Sequence, residues 1–141
     1  MSVLTLTTLP TSWDDPVLSR TQAEELLAQP HHLLLAIGPA EMPDAYLFAR
    51  CIPHTPADIL TVFVNPAHRR KGRALQLMQH LLLLAREGGC TGLTLEVDAT
   101  NDAAIRLYTA CGLTHLTTRR AYYTHTNQAP TDALIFSLNW A

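Results

Sequence analysis

Arg69, Arg70, Lys71 and Arg73 place four cations in five positions, with Gly72 and Ala74 interleaved among them. The cluster follows Asn65-Pro66, which ends a strand, and it opens a long helix. A helix start presents N–H groups that lack intrahelical partners, together with a partial positive charge, so it can bind phosphate. Gly72 and Ala74 keep that approach clear of large side chains, letting an anion reach the main chain. The turn does not read GxxxxGK[ST] and no GxGxxG is present, which excludes the triphosphate P-loop and the dinucleotide fingerprint. Two readings stand on these residues alone: a solvated basic turn, or a pyrophosphate site at a strand-to-helix junction. Two other side chains could do chemistry. Glu96 lies on the strand face opposite Leu95 and Val97, beside Thr94, and Tyr108 follows twelve residues later, three after Ile105. As bare residues they are also an acid on a solvated strand and a core aromatic with its hydroxyl at the rim.

These residues need elements to carry them. Val3 to Thr8 alternates weakly and reads as a short edge strand. Thr21 to Ala28 reads as a short helix, with Ser19 or Thr21 as cap and acids in its first turn, stopped by Gln29-Pro30. Strands follow at His32 to Ile37, Ala45 to Ile52 and Asp58 to Val64, spaced closely enough for an antiparallel meander. From Arg73 to Arg86 the period becomes helical: Ala74, Leu75, Met78, Leu81, Leu82 and Ala85 form a stripe that Leu77 and Leu84 widen. Gly88-Gly89 ends it. Leu93 to Val97 is a strand, and Asn101 or Asp102 caps a helix running to Ala110. Gly112 stands where a left-handed cap belongs. Strands over Thr114 to Tyr123 and Ala133 to Trp140 complete the order β, α, three β, α, β, α, β, β. The expectation is one mixed α/β (α+β) domain over residues 1–141.

Composition adds exclusions. A chain of 141 residues is large enough to bury a core without staples. A net charge of -2 gives no global reason to expect nucleic acid or an anionic membrane as partner. No early segment has the make-up of a signal peptide, and the longest apolar run, Leu81 to Ala85, is far too short to cross a bilayer. Cys51, Cys90 and Cys111 lack CxxC spacing and are odd in number, so they read as small buried or half-buried hydrophobes in a reducing cytoplasm. Histidines 31, 32, 54, 68, 80, 115 and 125 offer no ligand-spaced pair on a helix face, and no metal is expected.

The pattern Arg69-x-x-Gly72-x-Ala74, preceded by Leu60 to Pro66, resembles the acetyl-CoA motif of the GNAT acetyltransferase superfamily. The resemblance continues through Leu95-Glu96-Val97, Asn101-Asp102-Ala103-Ala104-Ile105-x-Leu107-Tyr108 and Cys111-Gly112-Leu113. Arg119 to Tyr123 and Asp132 to Ile135 are similar to elements of its RimI-type ribosomal-protein alanine N-acetyltransferase branch. The match covers about residues 57 to 138. It implies a mostly antiparallel central sheet flanked by helices and splayed at the acetyl-CoA site. It also implies that Val62, Phe63 and Val64 line the pantetheine arm while Arg69, Arg70, Lys71, Gly72, Arg73, Ala74 and Leu75 hold the pyrophosphate. Asn101 would contact coenzyme A as well as cap its helix. Three departures stand out. The region before the meander holds one helix where the family commonly has two, Thr124 replaces the usual proline after Tyr122-Tyr123, and Phe136 replaces a methionine.

The implied reaction is direct attack of an amine on the acetyl thioester, on a cytoplasmic protein that is a monomer or weak dimer. Glu96 corresponds to the family's general base, acting directly or through water. Tyr108 corresponds to its general acid: a phenol, near pKa 10, stays protonated where a thiol, near 8.5, leaves as thiolate. A main-chain N–H of the Val62 to Val64 strand would hold the oxyanion. Asp58, Tyr122 and Tyr123 are weaker candidates for shaping the acceptor site. The acceptor is a protein N-terminal α-amine, with a ribosomal protein's alanine as the specific case. The alternatives are a small amine (an amino acid, polyamine or aminoglycoside) and a coenzyme-A-binding module without turnover.

Overall fold

A computed structural model describes residues 2–140. In chain order the elements are β1 (Val3–Leu6), α1 (Arg20–Leu27), β2 (His32–Ile37), β3 (Ala45–Arg50), β4 (Pro56–Val64), α2 (Arg73–Glu87), β5 (Gly92–Asp98), α3 (Asp102–Ala110), β6 (Thr114–His125) and β7 (Gln128–Asn139). A short 3-10 turn, Pro66–His68, lies between β4 and α2. The order of elements is the one expected. One seven-stranded sheet runs β1-β2-β3-β4-β5-β7-β6, antiparallel throughout except where β4 meets β5.

The helix ends follow from local chemistry. Ser19 accepts the Gln22 N–H while the Gln22 side chain accepts the Ser19 N–H, a reciprocal cap for α1. The acids expected in its first turn are absent there, because the helix starts at Arg20 and Glu24 falls in the second turn. Asn101 Oδ1 accepts from the Ala104 N–H and starts α3. Gly88 caps α2, and Gly112 takes the expected left-handed conformation after α3.

At β2 and β3 both faces of the sheet are apolar, so these strands read as continuous hydrophobic runs. One cluster gathers Leu35, Ile37, Leu47 and Ile59 with Leu77, Met78, Leu81 and Ala85 of α2 and Tyr108 of α3. The other holds Trp13, Leu34, Ala36, Tyr46 and Phe48 against Ala23 of α1. The buried face of α2 is narrower than its sequence suggested: Leu75, expected on the apolar stripe, is exposed, as is Leu83, which lay outside that stripe. In β4 the register against β3 shifts, so that Phe48 faces Thr61 but Ala49 faces Ile59, leaving Leu60 as an extra residue. This bulge flips the alternation, so Ile59 and Val62 serve the first cluster while Leu60 and Phe63 serve the second.

Candidate active site

β4 and β5 pair only from Pro56↔Gly92 to Ile59↔Leu95. Past that point β4 stays with β3 as far as Val64, and β5 stays with β7 as far as Asp98. The two strands diverge, and among the described residues the edge of β4 beyond the bulge has no ladder partner on that side. The wedge between them is a cleft of about 260 Å³.

Five of the expected residues line it: Val62 from β4, Glu96 from β5, Asn101 at the cap of α3, Tyr108 from α3, and Tyr123 from β6. Glu96 carries an ion pair to Arg119 Nη1 at 3.2 Å, and the Arg119 guanidinium lies over the Tyr122 ring at 5.3 Å. Tyr108 is buried, and that burial, aided by nearby Cys111, pushes its phenol up to about 12. The phenol of Tyr123 is also raised, by burial first and then by Glu96 and Asp98, with Arg119 opposing.

Other expected residues lie elsewhere. Phe63 turns its ring to the opposite face of the sheet, stacked on Tyr46 at 5.3 Å, so only its main chain faces the open edge of β4. Asp58 sits on the four paired rungs, bound to Arg50 across β3, away from the cleft lining. Tyr122 is half exposed and packs edge-on against Tyr123 rather than lining the cleft.

At the mouth of α2 the chain is shaped by Asn65, whose Oδ1 accepts the Ala67 N–H, and by two left-handed residues, Arg70 (φ 64) and Gly72 (φ 73). Gly72 is the N-cap of α2 and no side chain caps the helix. The first-turn amides of Arg73, Ala74 and Leu75 are therefore left without a side-chain acceptor, the arrangement that takes an anion. A Cβ on Gly72 would meet nothing within 4 Å, so the space above the turn is open. Arg69, Arg70 and Lys71 face solvent. Arg73 does not: its Nε turns inward to 3.7 Å from Asp44 Oδ2. The residues present fit a pyrophosphate at this turn, with three outward cations rather than four.

Two contributors were not visible in the sequence. Val17, 62 % exposed, forms part of the cleft wall. Asp15 holds it there by accepting the Val17 and Leu18 N–H groups and the hydroxyls of Tyr46 and Thr61. Asp15-Pro16 is a local turn signal, but its partners lie 31 and 46 residues away. Among the described residues no group of three or more His, Cys, Asp or Glu could hold a metal, and no helix is long and apolar enough to cross a membrane. The side chain of His125 lies outside the described residues. Cys90 is buried, with Cys51 and Cys111 half-buried, as expected of small hydrophobes.

The profile of the Acetyltransferase (GNAT) family matches residues 7–113. The ribosomal protein bS18-alanine N-acetyltransferase of Escherichia coli (strain K12) is 38 % identical over 82 residues, 58 % of this chain and 55 % of that protein. N-alpha-acetyltransferase RimI of Mycobacterium tuberculosis is 32 % identical over 100 residues, 69 % of this chain and 61 % of that protein. The chain thus spans little more than half the length of these curated relatives. Among solved structures, the ribosomal-protein-S18-alanine N-acetyltransferase of Escherichia coli superposes with a TM-score of 0.76 at 28 % identity, covering 86 % of this chain and 76 % of the other. Arabidopsis thaliana NAA60 in complex with acetyl-CoA shares the fold at a TM-score of 0.71 and 20 % identity, over 82 % and 80 % of the two chains. With a splayed sheet, an uncapped α2 and a family match over most of its length, the chain belongs to the acetyltransferase (GNAT) family.

Proposed function

We propose that this chain is an acetyl-CoA-dependent N-acetyltransferase acting on the N-terminal α-amine of a protein, with a ribosomal protein's N-terminal alanine as the specific case. The observation that carries the chemistry is the lining of one cleft by Glu96, Asn101 and Tyr108 where the edge of β4 opens. The 38 % identity to the bS18-alanine enzyme supports the acceptor.

Acetyl-CoA supplies the activated thioester. The amides of Arg73, Ala74 and Leu75, with Arg69, Arg70 and Lys71 around them, hold its pyrophosphate, and Asn101 adds a contact beside its capping role. The main chain of Val62, Phe63 and Val64 carries the pantetheine arm and offers an N–H to the developing oxyanion. The acceptor nitrogen bonds to the carbonyl carbon and the carbon–sulfur bond breaks. Glu96, directly or through water, takes the proton from the attacking amine, and Tyr108 gives its hydroxyl proton to the leaving sulfur. An α-amine, near pKa 8, asks little of this base compared with a lysine near 10.4. Tyr123 stands beside Glu96 on the acceptor side, and Val17 faces it from the loop that Asp15 holds.

The test is transfer from labelled acetyl-CoA to a peptide beginning with Ala, run beside a panel of amino acids, polyamines and aminoglycosides. Label is expected on the peptide α-amine. Glu96→Gln and Tyr108→Phe are each expected to lower kcat by about a hundredfold or more, the usual contribution of a positioned acid or base. Label on small amines alone would replace the acceptor, and tight coenzyme A binding with no label anywhere would reduce the chain to a binding module.

A further inference from the structure

Beneath the basic turn lies a carboxylate that the reaction itself does not use. Asp44, only 8 % exposed, stands just before β3. Its N–H donates to the Ile37 carbonyl at 2.7 Å, and its own carbonyl accepts the Asn65 N–H at 2.8 Å. The residue therefore ties the β2–β3 hairpin to the last residue before the 3-10 turn. Its side chain meets both ends of the basic segment: His68 Nε2 lies 3.3 Å from Oδ1, and Arg73 Nε lies 3.7 Å from Oδ2. The pocket is shaped for it. A Cβ on Gly38, whose φ is +98°, would stand 2.7 Å from Asp44 Oδ1, so only glycine leaves room for the carboxylate there.

Burying a carboxylate is costly unless basic groups face it, and here the facing groups are the first and last side chains of the anion-binding turn. Arg73 Nε is buried and makes no hydrogen bond, so its interaction with Asp44 is an ion pair and not a directed bond. An arginine at the N-terminus of α2 would otherwise be free to swing toward a bound phosphate.

We propose that Asp44 is a positioning residue for coenzyme A. By holding His68 and Arg73 it fixes both ends of the segment from 68 to 73, so that the α2 amides and Arg69, Arg70 and Lys71 face the pyrophosphate while Arg73 is withheld from it. The proposal rests on the coenzyme A reading of this turn.

Asp44→Asn keeps the shape and removes the charge. The Kd for coenzyme A by calorimetric titration and the KM for acetyl-CoA are expected to rise together by about tenfold, the size of a coupled-pair effect. Turnover at saturation is expected to stay within about twofold, since Asp44 touches no reacting atom. Asp44→Glu is expected to recover part of the affinity. If Arg73 is instead a phosphate ligand held in reserve, Asp44→Asn frees it and binding tightens. If Asp44 only supports the fold, the melting temperature falls while the Kd of the folded protein is unchanged. Either result overturns the proposal. Should Asp44→Asn fail to fold, His68→Gln and Arg73→Gln take its place, singly and combined. Weaker binding in each, with less than additive loss in the pair, supports the proposal, whereas loss in Arg73→Gln alone marks Arg73 as a phosphate ligand and, like loss in His68→Gln alone or unchanged Kd in both, overturns it. A wild-type chain that binds no coenzyme A would remove the reading of the turn itself, which is distinct from a wild type and an Asp44→Asn variant that bind equally.

Discussion

At the scale of single residues, the proposed acid is set apart by burial. The Tyr108 phenol is held up to about 12, against an ordinary value of 10.0. A group raised in the folded protein adds stability in full below its unfolded value, and that contribution is lost as pH rises through the folded value. The Tyr108 contribution is therefore intact below pH 10 and fades on approaching 12. The same shift keeps the proton on the acid throughout the range where an α-amine, near 8, loses its own. With a peptide acceptor, kcat/KM is expected to rise between about pH 7 and 8.5 and to hold its level to about 9.5. A pH–rate profile that falls between 8.5 and 9.5 in wild type, and stays flat there in Tyr108→Phe, would identify the phenol as the acid but contradict its upward shift, whereas the same fall in both, with turnover undiminished in Tyr108→Phe, would defeat the assignment.

At the scale of elements, the junction of β4 and α2 bears most of the proposed binding. Gly72 is left-handed at φ 73, which an alanine adopts with strain of about 1 kcal/mol. Because a Cβ there meets nothing within 4 Å, that strain is the whole intramolecular effect of Gly72→Ala. The added methyl nevertheless points into the open space above the amides. The variant is expected to lose only a few degrees in melting temperature but severalfold or more in coenzyme A affinity, and equal small losses in both would mean that the anion approaches from elsewhere. Elements were highly legible in the sequence because their ends carry local signals: Ser19, Asn101, Gly88-Gly89 and Gly112 each act within a few residues. The hairpin between Tyr123 and Ala133 was less so, since Thr124 and Gln128 to Pro130 are exposed and show no alternation. The exposure of Leu75 and the bulge at Leu60 depend on what packs across from them. The site divides in the same way. Glu96, Asn101 and Tyr108 sit on two consecutive elements at readable spacing. Asp15, Asp44 and the Arg119 partner of Glu96 act through contacts between distant segments, which no local pattern encodes.

At the scale of the whole molecule, the sheet is continuous in order but not in strength. The strands from β1 to β4 and the group β5, β7 and β6 share four residue pairs across the seam, whereas β5 and β7 share seven. A ligand lying in the wedge would bridge both groups, so it should stabilise the folded chain by about 2.7 kcal/mol at a hundred times its Kd. The expected mark in hydrogen exchange is slower opening at Leu60 to Val64 and Glu96 to Asp98, with β6 and β7 little changed. Uniform protection of the whole sheet would instead indicate that the seam is already stiff. In mechanical terms the wedge opens from a short spine of four rungs, backed on one face by the core that α2 and α3 share with both groups of strands. Flexing of that spine would set the width of the opening, so the rate at which spent coenzyme departs would be tuned by four backbone rungs of which only the last, Ile59 with Leu95, reaches the cleft.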